Sequence, residues 1–438
     1  MKRKNTYILY ILGILAMLCL IQGLTHAVRF EDGSGGGLKG NTESELNIEE
    51  GQKEKGTGSG GNIRVLLMTS GYGNIFHDSV SLSAEGGLAV SYGGSREEWK
   101  EGILTLGPDD ERFAEGKVTV EPLREEDEIR VESIERGCGI PSYDGKIEVW
   151  SGEEGMAVIN DLPVEQYLCR VVPSEMPSSY ELEALKAQAV CARSYAFRQM
   201  GDYAYPQYEA HVNDSTDFQV YNNSNPADSA SRAVEETAGE VVRYQGAVAT
   251  TYYYSTSCGR TTDMGAWGTE RNESNAYLQS VQVCGDGEDY EKDLPWYHWQ
   301  AQIPEQVLVG LLGGYANQNL GTLQNVEITK RGAGEVALEL TATGTEGTIV
   351  VETENKIRTA LGGAGYTITK NDGSVIDSQN LLPSAFFTIT KQDGSYLIEG
   401  GGYGHGIGMS QNGANEMAKS GKTYKEILGL FYRDVTVG

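Results

Sequence analysis

The stretch Leu162–Met200, LPVEQYLCRVVPSEMPSSYELEALKAQAVCARSYAFRQM, constrains the fold more than any other part of the chain. Three prolines divide it. Pro163 suits a first helical turn, because its fixed φ fits there and its missing N–H is not needed. Pro173 disfavours helix at Val172, so a first helical segment is predicted to end near that residue. A second helix is predicted after Pro177, with Ser178 and Glu181 as an S-x-x-E capping box. Leu182, Leu185, Ala189, Ala192 and Ala196 recur at spacings of three and four, an apolar stripe for the core. Ser174, Glu175, Met176 and Pro177 are left on the connection, where two rigid elements can present a side chain to a ligand. A lone Glu in such a break is usually only a solvated or capping residue.

Around this helical pair the pattern is β. IRVLLM from Ile63 is a short apolar strand, and SVSLS and LAVSY read as a hairpin across Ala84-Glu85-Gly86-Gly87. VTVEPL, IRVESI, KIEVWSG and MAVINDL continue the series to about residue 160. Beyond Met200, Ser229–Thr237 predicts a short helix. GEVVRYQG and AVATTYYYSTSCGRT predict two strands around Gln245-Gly246, and NAYLQSVQV another. PEQVLVGLLGGYA is helix-like, and NKIRTALG is a short helix among the alternating runs of 321–399. Two helices close the chain, the last capped by Thr423 with Glu426. The fold class is therefore α+β, with β-rich regions packed around a central pair of helices. The predicted boundaries are an N-terminal segment 1–30, a Gly-rich acidic linker 31–62, a β-rich part 63–160, and a region 161–438 with a β-rich insertion at about 286–399.

The formal charge of −27 argues against nucleic acid and against electrostatic docking to anionic lipid. The N-terminal sequence predicts an inside N-terminus with the rest of the chain exported. Lys2, Arg3 and Lys4 precede an apolar run, Tyr7 to Leu24, about long enough to span a bilayer with the rest exported. A single-pass anchor through residues 7–24 is the favoured reading. A cleaved signal ending at Thr25-His26-Ala27, which would make the protein secreted, is the rival. Of six cysteines, Cys19 lies in that run. Cys169 and Cys191 suit small buried positions, and Cys258 and Cys284 could pair in an oxidising location. No C-x-x-C or Cys/His cluster at zinc spacing occurs.

E-x-Y-L-x-x-V-V-P-S-E-M-P followed by EALKAQAVCARSYA resembles the signature of the stage II sporulation protein D family, which includes the amidase-enhancer (LytB-like) proteins. The block GGGYGHGIGMSQNGA at 400–414 resembles that family's second hallmark, and STSCGRTTDMGAWG its S-T-S-x-G loop. Agreement covers most of 146–437 and is weaker between 286 and 380. The resemblance implies a lytic transglycosylase acting on peptidoglycan glycan, with Glu175 as its acid. The candidates for holding the glycan are Ser174, Lys186, Gln188 and Arg193 in the first motif, Ser255 and Ser257 in the loop, and His405, Ser410 and Gln411 in the last. Where some relatives carry zinc ligands this chain has Val212, Asp217 and Phe218, so no structural zinc is expected, and no cofactor is needed. The expected partners are glycan strands, with a cell-wall amidase and a membrane protein implied by the resemblance. A non-catalytic amidase enhancer that holds glycan, or a wall scaffold, is the rival function.

Glycoside cleavage normally uses two carboxylates. The resemblance implies a course that uses one: Glu175 protonates the oxygen of the MurNAc–GlcNAc bond, then accepts the proton of the sugar's own 6-hydroxyl as it attacks C1, leaving a 1,6-anhydro end. The strands best suited are those free of stem peptides. That course requires a Glu175 that is largely neutral in the complex.

Overall fold

The computed structural model describes residues 61–438, and these divide, in a mixed α+β chain, into two units, 61–162 with 213–217, and 163–212 with 218–438. The expected membrane segment and nearly all of the linker lie outside the described residues. Among those described, no helix is long and apolar enough to cross a membrane.

The first unit is built on antiparallel sheets. One runs in the order Asn62–Leu67, Gly155–Pro163, Lys146–Gly152, Val118–Pro122, Leu88–Tyr92, Ser95–Trp99. Its inward residues Val65, Val90, Val120, Val149 and Val158 are fully buried, as alternation along half-buried strands requires. A second sheet joins Leu104–Leu106, Val80–Ser83, Ile129–Val131 and Ser142–Tyr143. The expected hairpin of SVSLS with LAVSY does not form. The 84–87 turn closes (Gly87 N–H to Ala84 O, 3.1 Å) but passes the chain from one sheet to the other. The hairpin is instead Leu88–Tyr92 with Ser95–Trp99, across Gly93-Gly94, both at positive φ as a primed turn needs. Buried charge is paired throughout: Arg64 meets Glu148 and Asp161 at 2.7 and 2.8 Å, and Arg136 meets Asp214 at 2.5 Å with neither side chain exposed.

The second unit holds all seven helices of the described residues: α1 Val164–Glu175, α2 Leu182–Gln199, α3 Asp228–Glu236, α4 Glu305–Ala316, α5 Glu354–Leu361, α6 Gln411–Lys419 and α7 Tyr424–Phe431. α2 is central, with α1, α3, α6 and α7 packed against it. Eleven of its eighteen residues are buried, which accounts for the run of alanines: small side chains let several helices approach one another. A five-stranded sheet (Val375–Asp377, Thr367–Lys370, Trp299–Pro304, Ser395–Gly400, Phe387–Gln392) and a three-stranded one (Leu323–Arg331, Ala337–Gly344, Thr348–Glu352) make up the later β region, with α4 and α5 beside them.

Several local expectations are corrected. α1 continues through Pro173 to Glu175, because Pro173 removes one donor and the ladder resumes beyond it, with Met176 N–H on Val172 O at 2.9 Å. Ser178 and Glu181 form no capping box: the Glu181 N–H is held by Asn415 Oδ1 at 2.9 Å, while the Ser178 carbonyl accepts from Ser229. NAYLQSVQV is not a strand, since the Tyr277 hydroxyl ties the segment to both the N–H and the carbonyl of Thr250 at 2.9 Å. Of the long second strand after Gly246, only Ala247–Val248 and Tyr253–Tyr254 are extended ladders, the latter parallel to Met409–Ser410. Among the described residues Cys258 and Cys284 form no disulfide. Cys258 lies against Gly401, whereas Cys284 is exposed on a two-stranded ribbon. The Thr423–Glu426 capping box is present.

Candidate functional site

Glu175 ends α1, in the last turn, where the carbonyl end of the helix dipole disfavours a negative charge. The residue keeps some surface open to solvent while its carboxyl group is densely surrounded by protein. Burial raises its pKa to about 7, against two hydrogen bonds that favour the ionised form. These come from the Val220 N–H, 2.6 Å from Oε1, and from the Tyr253 hydroxyl. Tyr253 is itself positioned: Gln219 Nε2 donates to its oxygen at 3.1 Å, and Gln219 Oε1 accepts from Tyr167 at 3.3 Å. A carboxyl with an elevated pKa, partial access and two fixed donors can give up a proton near neutrality and be held once charged.

The 400–414 block reaches the same place. Gly402, Gly404, Gly406 and Gly408 all take positive φ; between them Tyr403 and Ile407 bridge to Thr256 and Thr262, and just beyond them Met409 and Ser410 pair with Tyr253 and Tyr254. Gly408 is the tightest of them, since a Cβ there would run into the Tyr252 carbonyl. The run delivers Gln411, whose Nε2 donates to the Glu175 carbonyl at 3.1 Å and to Gln188 Oε1 at 3.4 Å. Gln188 is fully buried, and among the described residues its Nε2 has no hydrogen-bond partner. Ser174 is also at the end of α1, where its hydroxyl donates to Arg170 O at 2.7 Å and accepts from the Asn223 N–H at 3.0 Å. Glu175, Ser174, Gln188 and Gln411 are thus brought together.

The other expected ligand residues serve the fold. Arg193 is completely buried, forked onto Glu165 at 2.8 and 2.7 Å and onto the Val234 and Glu240 carbonyls. Glu165 lies ten residues before Glu175 on α1, about 15 Å along the axis. Lys186 is committed to Glu183 and Glu236 at 2.9 and 2.6 Å. Both ring nitrogens of His405 are engaged, Nε2 with the Tyr253 carbonyl at 3.0 Å and Nδ1 with the Ile407 N–H at 3.1 Å. Burial lowers its pKa to about 3, so the ring is neutral and Nε2, facing a carbonyl, carries the proton. It positions the strand that carries Tyr253. Ser257 and Ser410 are buried and donate to a single carboxylate, Glu291, with the Ser257 N–H adding a third bond at 2.9 Å. Ser255 stays partly exposed, its hydroxyl 3.1 Å from that of Thr256, and its carbonyl accepts from Asn412.

Sequence reasoning missed Tyr253, Gln219, Val220 and Glu291. Tyr253 was hidden among three consecutive tyrosines, and Glu291 sits in a polar run, DYEKD, that reads as surface. Glu291 is nonetheless fully buried, and burial raises its pKa to about 7. It does not contribute to the shift at Glu175. Among the described residues, no group of three or more His, Cys, Asp or Glu side chains is placed to hold a metal ion.

Comparison with known proteins bears on this arrangement directly. A family model described as stage II sporulation protein matches residues 152–244, which carry α1 and Glu175, and a domain of unknown function, DUF8618, matches 268–408. An uncharacterised protein of Brachyspira hyodysenteriae is 30% identical over 296 residues, 67% of this chain and 72% of that protein. The chain belongs to the stage II sporulation protein D family. Within it, the stage II sporulation protein D of Bacillus amyloliquefaciens is 29% identical over 64% of this chain and 75% of its own length. The amidase enhancer of Bacillus subtilis is 28% identical over 61% of this chain, but the match spans only 39% of that relative.

Proposed function

We propose that this chain acts on the bacterial cell wall as a lytic transglycosylase, cleaving the MurNAc–GlcNAc bond of glycan strands with Glu175 as both acid and base. One observation carries the reading: a single partly accessible carboxyl whose pKa is raised to about 7 by burial, beside two fixed donors. As an acid, the neutral group protonates the bridging oxygen. The Val220 N–H and Tyr253 hydroxyl then hold the carboxylate, which accepts the proton of the 6-hydroxyl as it attacks C1. The bond formed is C1–O6, the bond broken is C1 to the leaving oxygen, and the proton returns to Glu175. Glu291, the other Glu whose pKa burial raises to about 7, is fully engaged by Ser257 and Ser410, which fits a course needing no second carboxylate. The family and the relatives' names support the wall-related role, and the glycan chemistry is our own reading.

The second reading is an amidase enhancer that holds glycan for a cell-wall amidase without cleaving it, favoured by the relative of that name. Sporulation is the setting suggested by the other relatives' names. An exported catalytic region, anchored or released at the N-terminus, fits either reading. Incubating stem-peptide-free strands with wild type and Glu175→Gln separates them: anhydro-ended fragments from the wild type alone support the enzyme, and binding without cleavage supports the enhancer.

A further inference from the structure

A cavity of about 700 Å³ opens in the second unit, lined by neither Glu175 nor the residues that hold it. Trp299, Phe386 and Phe387, all buried, form its apolar lining, and Arg260, Arg331 and Lys370 bring three positive charges to it. This is unusual for a chain with 62 acidic and 35 basic residues. The guanidinium groups are fixed by backbone carbonyls: Arg260 Nε donates to Gly334 O at 2.6 Å, and Arg331 donates to Glu335 O and Phe387 O at 2.8 and 2.9 Å. Lys370 Nζ lies 5.0 Å over the Trp296 ring. Among the described residues none of the three cations takes part in an ion pair, although Glu335 and Glu399 also border the cavity. Half-buried, pre-oriented cations that outnumber the two bordering carboxylates and pair with neither suit an anionic ligand with fork geometry.

The cavity adjoins the candidate active site through the chain. Cys258, Gly400 and Gly401 line it, and Cys258 is five residues from Tyr253, about 17 Å even when fully extended. The geometry points to this cavity as a subsite for the carboxylate of an acidic saccharide on the strand that Glu175 addresses. The inference rests on the reading of the chain as glycan-binding but not on its being an enzyme. Glu335 and Glu399 would accept from sugar hydroxyls, while Arg260, Arg331 and Lys370 hold the acid. The carboxylate has two possible sources, the lactyl group of a stripped MurNAc and the terminus of a stem peptide.

The test uses the whole chain with Glu175→Gln, to stop turnover, titrated calorimetrically with stripped MurNAc–GlcNAc strands and with GlcNAc-only oligomers of the same length. The acidic strand is expected to bind at least tenfold tighter, and adding Lys370→Gln or Arg260→Gln is expected to reduce that affinity about tenfold while leaving the neutral oligomer unchanged. Lys370 is half-buried on a strand near the sheet edge, so its variant should fold even if the Arg260 variant does not. Competition by N-acetylmuramic acid assigns the lactyl source; competition by free stem peptide assigns the other. Equal affinity for acidic and neutral strands together with no Lys370-dependent binding of free stem peptide, or a loss on Lys370→Gln common to acidic and neutral strands, overturns the subsite. Charge-dependent binding by a wild type that never cleaves would sink the transglycosylase reading and leave the subsite standing.

Discussion

Replacing Glu175 by Gln should change stability in a way that depends on pH. An unfolded Glu titrates near 4.5, and the folded group near 7. Between those values the folded chain keeps a proton the unfolded chain has released, so stability falls as pH rises, and above 7 the whole cost is present. The interval of roughly 2.5 units, at about 1.36 kcal/mol each, amounts to about 3 kcal/mol. A Gln at 175 does not ionise and still accepts from the Val220 N–H. Its amide nitrogen, however, faces a Tyr253 oxygen that already accepts from Gln219, a mismatch of about 1 kcal/mol. The variant should therefore match the wild type near pH 5 and exceed it by about 2 kcal/mol near pH 8. Urea unfolding followed by tryptophan emission is a suitable assay, because Trp267, Trp296 and Trp299 all report on the unit that holds Glu175. Glu291 titrates alike in both proteins and cancels. A wild-type–variant gap that stays flat from pH 5 to 8 would show that the carboxyl is not held above its ordinary range, and the argument for a neutral acid would fail.

Other outcomes follow from the same contacts. Tyr253→Phe removes a donor to the carboxylate, so the Glu175 pKa should rise further, seen as an upward shift in a carbon-13 titration of labelled Glu. Glu165→Ala strands the buried Arg193 guanidinium and should cost about 3 kcal/mol by denaturant unfolding, whereas removing both charges with a matched apolar pair should recover most of it. Glu291→Ala leaves Ser257 and Ser410 without their common acceptor. It should lower stability by about 3 kcal/mol and slow any glycan turnover, while Glu291→Gln should lose less. Thr423→Ala deletes the capping box of α7 and should cost about 1 kcal/mol in thermal melting.

The fold class, the two helices and most strands could be read from periodicity: Leu185, Ala189, Ala192 and Ala196 of the predicted stripe are buried, within a wider buried surface of α2, and the first-unit strands alternate. Strand partners could not. Leu88–Tyr92 had a plausible turn on both sides, and only tertiary packing chose Gly93-Gly94 over Ala84–Gly87. Pro173 misled because a proline in a final turn costs one hydrogen bond and not a helix. At the site, the motif gave Glu175 and Gln411, but it could not distinguish a residue that touches a ligand from one that holds the scaffold. His405, Ser257, Ser410 and Arg193 are of the second kind, each with its polar atoms satisfied inside the protein. Tyr253 and Glu291 depend on contacts between segments far apart in sequence, which no local pattern encodes.

The central claim is that Glu175 cleaves glycan by an intramolecular route. The most direct measurement is mass spectrometry of the ends produced from stem-peptide-free strands by residues 61–438 and by the same chain with Glu175→Gln. The account predicts 1,6-anhydro ends from the first and intact strands from the second. Reducing ends, or equal cleavage by both, would contradict it.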